Sequence, residues 1–452
     1  MMYLLNQESV KAQGWMVSFL GVLAAAVLFW PGSAQAVPSF ARQTGWSCAK
    51  CHTVFPELTP AGRRFKLEGY MTDEMAEKKS GAMEVTAAAP VSAMIIADDT
   101  FLKSQPPVAA GTATDGSDNR GTVKMPDQLS LFYAGPITPG MGSFIQLTYE
   151  PDAGALSLDM LDIRAAKKMD LLGYDLVVGL DSNNVPTVQD AWNTGAAWGF
   201  PFAGSSVVPG PIAGTQIESL GGSVGSLGAY AYFNDLVYME VSGYRSTTQG
   251  DGFTPAIQGI APYWRVAVTQ EFGPVSVEVG GLGMKSAAYP AGAGPTGPGD
   301  HASDLSFDAQ AQYITDAHIV SIEASYITEK TAPTASYLLA MTENAENTLK
   351  QAKVNASYFW DRMVGVSVGM LSITGSSDAG MFAVNPFDGS ATGSPNSQGL
   401  VYEIDYLPWM NTKFAAQYTM WSKFNGDSTS YDGDGRNASD NNALTVLAQL
   451  LF

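Results

Sequence analysis

The sequence has very few cysteines and histidines. Only two of its 452 residues are cysteine, Cys48 and Cys51, and only three are histidine, His52, His301 and His318. Two cysteines are too few for the disulfide framework of a small secreted domain. A structural zinc site needs four closely spaced ligands, and His301 and His318 lie far along the chain from the other candidates. The scarcity therefore argues against both a disulfide scaffold and a zinc domain.

Charged residues are also scarce, and basic ones most of all. They make up 15% of the chain, with 24 Lys and Arg against 43 Asp and Glu and a formal net charge of −19. Residues 37–82 are slightly basic, so the acidic excess falls on the remainder. An acidic body repels the phosphate backbone, which makes nucleic acid an unsuitable partner and cations a compatible one. A hydrophobic content of 46% argues against disorder.

Long hydrophobic runs are confined to the N-terminus. Lys11 precedes the uncharged run Trp15–Trp30, and Ser33–Ala36 has the small-x-small pattern of a signal-peptidase site. The alternative is a membrane anchor, but a spanning helix needs roughly 18 or more apolar residues. We therefore predict that residues 1–36 are a cleaved signal peptide with Val37 as the first mature residue. The protein is exported, and any membrane insertion must use strands.

The five residues Cys48-Ala49-Lys50-Cys51-His52 carry the chemistry. C-x-x-C-H is the attachment signature of c-type haem, in which two thiols form thioethers with the porphyrin and the histidine binds iron. Cys48 and Cys51 have no other cysteine to pair with, and the motif follows the export signal closely. A Cys–Cys pair or another metal site remains as an alternative. We predict one covalently bound haem c, with His52 as the proximal ligand.

The second axial ligand is less well defined by the sequence. Met71, Met75 and Met83 follow the motif, and a thioether is a known axial ligand of haem iron. Met71 is the best placed because it follows Gly-Tyr directly after the turn. Methionine also commonly fills gaps in cores. The alternatives are His301 or His318 reaching in from the body, or an open position.

Two adjacent arginines are candidate contacts for the haem propionates. Arg63 and Arg64 carry guanidinium groups, which bind carboxylates in bidentate fashion. A solvated basic face is the alternative interpretation. The whole segment 37–82 is too short to bury a haem well by itself, so we expect the rest of the chain to shelter it.

Residues 83–452 alternate repeatedly between apolar and polar side chains. This period of two indicates half-buried strands. The clearest examples are Ser143–Glu150, Leu305–Tyr313, Val320–Tyr326, Val364–Met370 and Leu444–Leu450. Gly-, Asn-, Asp- and Ser-rich stretches such as 291–304 and 378–398 are predicted to connect them.

Two all-β folds compete for this body, a soluble sandwich and a transmembrane barrel. The barrel places apolar faces outward, polar faces in a wet lumen, and aromatics at the membrane boundaries. Asp308 and Glu323 on the polar faces, the aromatic cluster Tyr358–Trp360, and the terminal Leu450–Phe452 favour the barrel. Its length predicts about 16 antiparallel strands, with a channel wide enough to hold the small haem segment.

Several stretches resemble outer-membrane monohaem cytochrome–porin fusion proteins, which include the iron(II)-oxidising outer-membrane cytochromes c. These stretches are Val37–Gly45, Cys48–His52, Phe55–Pro60, Gly62–Tyr70, Asn183–Asn193, Trp198–Pro201 and Tyr431–Asn441. The resemblance implies a 16-stranded barrel with the monohaem segment inside it. It also implies that Cys48 and Cys51 attach the haem and that His52 is the axial ligand.

The expected function is electron transfer across the outer membrane. Extracellular Fe(II) or another extracellular donor would reduce the haem, and a periplasmic c-type cytochrome or similar carrier would reoxidise it, as an Fe(II):cytochrome c oxidoreductase. The barrel would contact outer-membrane lipid. One alternative is a diffusion porin with a structural haem plug, and another is electron transfer with a different donor or acceptor. A haem enzyme such as a peroxidase would need an open axial position and a distal acid–base residue.

Overall fold

The computed structural model describes residues 38–77, 89–105, 120–151, 154–247, 256–290, 296–383, 389–409 and 411–452. Short helices precede and interrupt a large sheet. They are α1 (Pro38–Thr44), α2 (Cys48–Cys51), α3 (Pro60–Leu67), α4 (Asp73–Glu77), α5 (Gln216–Ser219) and α6 (Thr334–Leu338), with a 3₁₀ turn at Ala438–Asn441. No helix in the described ranges has the length and apolar character needed to cross a membrane.

The described strands form one closed antiparallel barrel in which each strand pairs with its neighbours in sequence and the last strand pairs with the first. They are β1 (Val91–Leu102), β2 (Gly121–Thr138), β3 (Met141–Glu150), β4 (Ala155–Leu171), β5 (Tyr174–Asn183), β6 (Val224–Phe233), β7 (Val237–Ser246), β8 (Ala261–Phe272), β9 (Val275–Ala288), β10 (Asp300–Ile314), β11 (His318–Ala332), β12 (Asn347–Trp360), β13 (Val364–Gly375), β14 (Ser397–Trp409), β15 (Thr412–Lys423) and β16 (Ala443–Leu451). The prediction of an all-β barrel of about 16 strands is confirmed. Because β10 begins at Asp300, the connection predicted for 291–304 is shorter than expected.

The two ends of the barrel differ in the length of their connections. At one end, seven connections between the described strands have two or three residues, and β1 begins and β16 ends there. We call this the short-turn end. At the other end, the loop end, the longest connection joins β5 to β6 across residues 184–223. Outer-membrane barrels have short periplasmic turns and longer extracellular loops, and this barrel has that asymmetry.

Side chains alternate between the outside of the barrel and its lumen. On β10, Phe307 is 60% exposed, whereas Ser306 and Asp308 on either side are 6% and 7% exposed. Apolar side chains therefore point outward and polar ones inward, which is the pattern of a porin-like transmembrane barrel rather than a sandwich. Outward aromatics lie near the short-turn end at Tyr174, Phe272, Tyr313, Trp360 and Tyr406.

Residues 38–77, which we call the plug, pack against inward-facing barrel side chains. The Tyr70 hydroxyl donates to Asp162 on β4 at 2.6 Å, and the Tyr230 hydroxyl on β6 donates to the Leu67 carbonyl at 2.7 Å. A Cβ at Gly142 of β3 would lie 2.2 Å from the Gly69 carbonyl oxygen, so glycine is needed where plug and barrel meet. The plug is thus held inside the ring at the short-turn end.

Helix α3 begins at Pro60, three residues before the first of the two adjacent arginines. Pro60 occupies the first helical position, where its missing N–H costs nothing, and the Thr59 hydroxyl accepts from the Gly62 N–H at 3.2 Å. Pro60 therefore starts this helix rather than breaking it. Gly62, Arg63, Phe65, Lys66 and Leu67 are its buried residues.

The connection 184–223, which we call the inward loop, folds into the lumen from the loop end. Trp192 is fully buried, and the Asp190 carboxylate lies 3.1 Å from the buried guanidinium of Arg265 on β8. Thr194 donates to Asp308 on β10 at 2.6 Å. Because these contacts are buried and polar, they fix the loop against the barrel wall.

Candidate functional site

The two cysteines and His52 line a single cavity between the plug and the barrel. The cavity is open at its mouth, and the space between its atoms, open solvent included, is about 970 Å³. We call it the plug cavity. Its walls are mostly aromatic and apolar, formed by Phe40, Trp46, Phe55, Phe65, Tyr70, Phe132, Phe144 and Leu451. Such walls suit a flat macrocycle because they remove water from its faces.

His52 is oriented by the chain that follows it. Its ring Nδ1 lies 3.3 Å from the Pro56 carbonyl oxygen. A carbonyl can only accept, so Nδ1 carries the proton and Nε2 keeps its lone pair. Burial lowers the pKa of His52, which favours the neutral imidazole that binds metals. Arg362 of the β12–β13 turn donates to the His52 carbonyl at 3.2 Å and ties the motif to the barrel rim.

Both thiols are half-buried and neither is in a disulfide in the structure. They are three residues apart in helix α2, a spacing that puts both side chains on one face of the helix, and both line the same cavity. Burial and the neighbouring Cys48 sulfur raise the pKa of Cys51 to about 11. The Cys51 sulfur therefore rests as a neutral thiol in this apolar setting.

The packing of α3 on α2 shows that the motif is held in a fitted cradle. A Cβ at Gly62 would lie 2.2 Å from the Cys51 carbonyl oxygen. The Thr59 hydroxyl also donates to the Lys50 carbonyl at 2.7 Å. Two thiols, an oriented imidazole and aromatic walls in one cavity fit the chemical requirements of haem c.

The two arginines have partners other than the cavity. The buried Arg63 guanidinium donates to Gln310 and Gln312 at 3.0 Å each and to Ser276 at 2.6 Å, all on the barrel wall. Arg64 pairs with Asp235 at 2.7 Å and with Asp175 at the short-turn end. Neither arginine is part of the cavity lining. Contact with propionates stays a prediction, and the structure gives both side chains a role in docking the plug.

None of the candidate distal ligands in the described ranges lines the cavity, but Met75 packs against the lining residues Phe65 and Tyr70. Met71 is 5% exposed but is not part of the lining. His301 and His318 are exposed on β10 and β11, and His318 Nδ1 lies 2.9 Å from the Tyr358 hydroxyl. In the described ranges, no three His, Cys, Asp or Glu side chains converge to bind a metal directly. The distal ligand is therefore not assigned.

Lys66 is a cavity residue that the sequence did not single out. Its ammonium donates to the carbonyls of Val188 and Asp190 at 2.6 and 2.9 Å and lies 5.1 Å from the Trp198 ring centroid. Burial lowers the pKa of Lys66 to about 8. Lys66 joins the plug to the inward loop. Nothing in the sequence distinguished Lys66 from the other lysines, since a lysine in a short helix usually faces solvent.

Three of the sequence predictions fall outside the described residues. They are the signal peptide at 1–36, the boundary between the haem segment and the barrel at 82/83, and Met83. These remain predictions.

Comparisons with known proteins find similarity among solved structures alone. No protein-family model matches the chain, and no curated protein does. Among solved structures, the outer-membrane channel DcaP of Acinetobacter baumannii is 10% identical with a TM-score of 0.47, covering 80% of this chain and 96% of that chain. OmpF of Salmonella typhi in complex with daunomycin is 12% identical with a TM-score of 0.48, covering 80% and 97%. An anion-selective porin from Comamonas acidovorans is 13% identical with a TM-score of 0.47, covering 80% and 98%. Likeness at this level says nothing about what binds or crosses this barrel.

Proposed function

We propose that the protein is a haem c electron-transfer protein of an outer membrane. The observation that carries the proposal is the convergence of Cys48, Cys51 and His52 on one apolar cavity at the short-turn end of a membrane-type barrel. By the usual orientation of such barrels, this end faces the periplasm. Electrons would enter from an extracellular donor, Fe(II) or another reductant, and leave to a periplasmic c-type cytochrome or similar carrier.

The filling of the lumen supports passage of electrons rather than of solutes. The plug occupies the short-turn end, and the inward loop packs against it through Lys66, Val188 and Asp190. Arg164 and Arg265 of the barrel wall are fully buried under these segments. A diffusion porin instead keeps a water-filled lumen.

Different residues of the site would have different roles toward a bound haem. Haem c bound there would supply one-electron chemistry at its iron. Cys48 and Cys51 would hold it covalently, and His52 Nε2 would bind the iron while the Pro56 carbonyl keeps the proton on Nδ1. Phe40, Phe65 and the other aromatic walls would shield a bound haem from water, and this burial would help to set its potential.

The test is reduction of the purified, detergent-solubilised oxidised protein by Fe(II), followed by stopped-flow haem absorbance. We expect covalent haem in the wild type, rapid reduction by Fe(II), and loss of that reduction in His52→Ala with the barrel still folded. Absence of covalent haem from protein made with an active haem-attachment system would overturn the proposal. Reduction by dithionite but not by Fe(II) would keep an electron-transfer protein and remove iron as its donor.

Solute conductance distinguishes the proposed electron-transfer protein from a diffusion porin. We expect planar-bilayer conductance well below that of an open 16-stranded porin measured in parallel. High conductance combined with a haem that Fe(II) cannot reduce would favour a diffusion porin with a structural haem plug.

A further inference from the structure

A second cavity lies on the loop side of the plug cavity. The space between its atoms, open solvent included, is about 520 Å³, and it is lined by hydrogen-bonding groups as well as apolar ones. We call it the loop-side cavity. Its lining includes Asn193 and Trp198 of the inward loop, Glu323 of β11, and Lys353 and Asn355 of β12.

The two cavities share one thin wall. Asn193 and Trp198 line both of them. The loop holds these residues in place because the Asp190 carboxylate accepts the N–H groups of Thr194 and Gly195 at 2.9 Å each. The Trp198 indole N–H donates to the Val188 carbonyl at 3.2 Å. A ligand in the loop-side cavity is therefore one side-chain layer from the haem site.

The shared wall carries an acceptor that lacks a hydrogen-bond donor. Asn193 is 1% exposed, and its Oδ1 has no partner within the described part of the chain. Its backbone φ is +63°, a conformation that asparagine tolerates better than most residues. A buried carbonyl oxygen without a donor is costly, so this atom suits a ligand that donates a hydrogen bond.

A buried carboxylate lies in the same lining. Glu323 is 3% exposed and accepts from Gln310 Nε2 at 2.8 Å and Asn355 Nδ2 at 3.4 Å. Neither of its oxygens is paired with a Lys, Arg or His side chain within the described ranges. Burying a carboxylate beside neutral amides is unfavourable unless a cation or a proton compensates it.

The one lysine of the lining is already engaged. The Lys353 ammonium lies 2.7 Å from a Glu218 carboxylate oxygen, and this pair cancels its own charge. What remains facing the cavity is one carboxylate together with amide and hydroxyl oxygens.

We propose that the loop-side cavity binds a small cation that donates hydrogen bonds from its own O–H or N–H groups, such as a hydrated divalent metal ion. Glu323 supplies the countercharge, and Asn193 Oδ1 accepts a hydrogen bond from the ligand shell. The cation is held through its shell of water or ammonia, since the lining offers a single carboxylate. The identity of the site as the electron-donor site rests on the proposed function, whereas cation binding does not.

When the bound cation is a reductant, the proposed redox step is the transfer of one electron. The donor would lose one electron and rise by one in charge, and a ferric haem held by Cys48, Cys51 and His52 would take up that electron. The oxidised cation would leave toward the loop end with its shell intact, which removes the added charge from the cavity. No bond between donor and iron forms or breaks.

The test uses hexaamminecobalt(III), a substitution-inert cation that can bind only through its N–H groups, with the oxidised, haem-loaded protein. Cobalt anomalous scattering from crystals locates the ion, and equilibrium dialysis measures its affinity. We expect an anomalous peak in the loop-side cavity. Glu323→Gln should weaken binding about tenfold or more, the usual effect of losing a charged hydrogen-bond partner. Asn193→Gly, which keeps the backbone conformation, should weaken it less.

A matched control lies on the same strand. Glu329 of β11 is also buried, at 6% exposure, but is outside the lining, so Glu329→Gln should leave the anomalous peak and the affinity unchanged. Absence of a peak in the cavity, or equal effects of Glu323→Gln and Glu329→Gln, would overturn the proposal.

Haem reduction by Fe(II) in the same variants separates the two proposals. A slower rate at low Fe(II) in Glu323→Gln but not in Glu329→Gln supports the cavity as the donor site. Cobalt binding with unchanged Fe(II) kinetics overturns the donor role and leaves a cation site. Cobalt binding in a protein that Fe(II) never reduces leaves the cation site and removes the proposed function.

Discussion

Replacing Arg63 with methionine should release the plug from the barrel wall, whereas the same change at Arg64 should not. Arg63 is 2% exposed and makes three hydrogen bonds to barrel side chains, two of 3.0 Å to Gln310 and Gln312 and one of 2.6 Å to Ser276. Methionine keeps much of the apolar volume of the arginine stem but none of its donors.

The size of the effect follows from these bonds. A hydrogen bond from a charged group contributes about 1.5–3 kcal/mol, so three give about 4.5 kcal/mol or more before the cost of burying the guanidinium is subtracted. Because that cost is large, we expect Arg63→Met to lower the free energy of plug docking by about 2–4 kcal/mol. The undocked population would then rise roughly 30- to 700-fold. Arg64 is only partly buried and pairs with Asp175 and Asp235. Pairs of that kind contribute about 1 kcal/mol or less.

Hydrogen–deuterium exchange of plug peptides in the haem-loaded, detergent-solubilised protein measures this population. We expect a large loss of protection in Arg63→Met and a small one in Arg64→Met. Equal exchange in the two variants would refute the reasoning. A shifted haem midpoint potential in Arg63→Met with unchanged exchange would instead assign Arg63 to a haem propionate, as the sequence first suggested.

Three further substitutions test the cavity. Burial lowers the pKa of Lys66 to about 8, so the folded protein binds fewer protons than the unfolded chain between about pH 8 and 10.5. Plug stability should therefore rise with pH across that window, by up to about 3 kcal/mol, and a thermal melt followed by haem absorbance should show no such rise in Lys66→Met. Gly62→Ala places a Cβ 2.2 Å from the Cys51 carbonyl oxygen and should lower the haem-to-protein absorbance ratio. Gly210→Ala, whose Cβ meets nothing within 4 Å, should not, and equal ratios would contradict the packing argument. Met71→Leu should leave the oxidised absorption spectrum unchanged because Met71 is outside the cavity lining, and loss of a sulfur-to-iron absorption band would show that it binds the iron.

The strands of the barrel could be predicted because each one is specified by residues that are adjacent in sequence. In Ser143–Glu150 the outward and inward sets differ at every second residue, and the structure places Gln146 and Thr148 in the lumen at 7% and 3% exposure. Period two specifies the strand and divides its side chains between two faces, and the polar residues of one face together with the boundary aromatics indicate that the other face meets lipid. The terminal strand β16 shows the same alternation, with Leu444 43% exposed and Thr445 1% exposed.

The contents of the lumen could not be predicted because they depend on contacts distant in sequence. Trp192 and Asp190 lie in an aperiodic stretch, and nothing local shows that they are buried against Arg265. Arg63 lies 247 residues before its partner Gln310, so the sequence showed its charge but not its neighbour. Cys48 and His52, by contrast, are set by a fixed spacing, which is why a motif alone could bring them together.

The closure of β1 onto β16 also constrains the order of biogenesis. The register pairs Met94 with Leu451, so the ring is completed only when the last residues of the chain reach the first strand. Cys48 and Cys51 precede that strand, and they become half-buried once the plug docks. If these thiols carry haem, as we propose, an enzyme attaching it would reach them more readily before the plug docks. Under the proposed function, loading of the haem would come before docking of the plug and closure of the barrel, so the three would be consecutive steps of assembly.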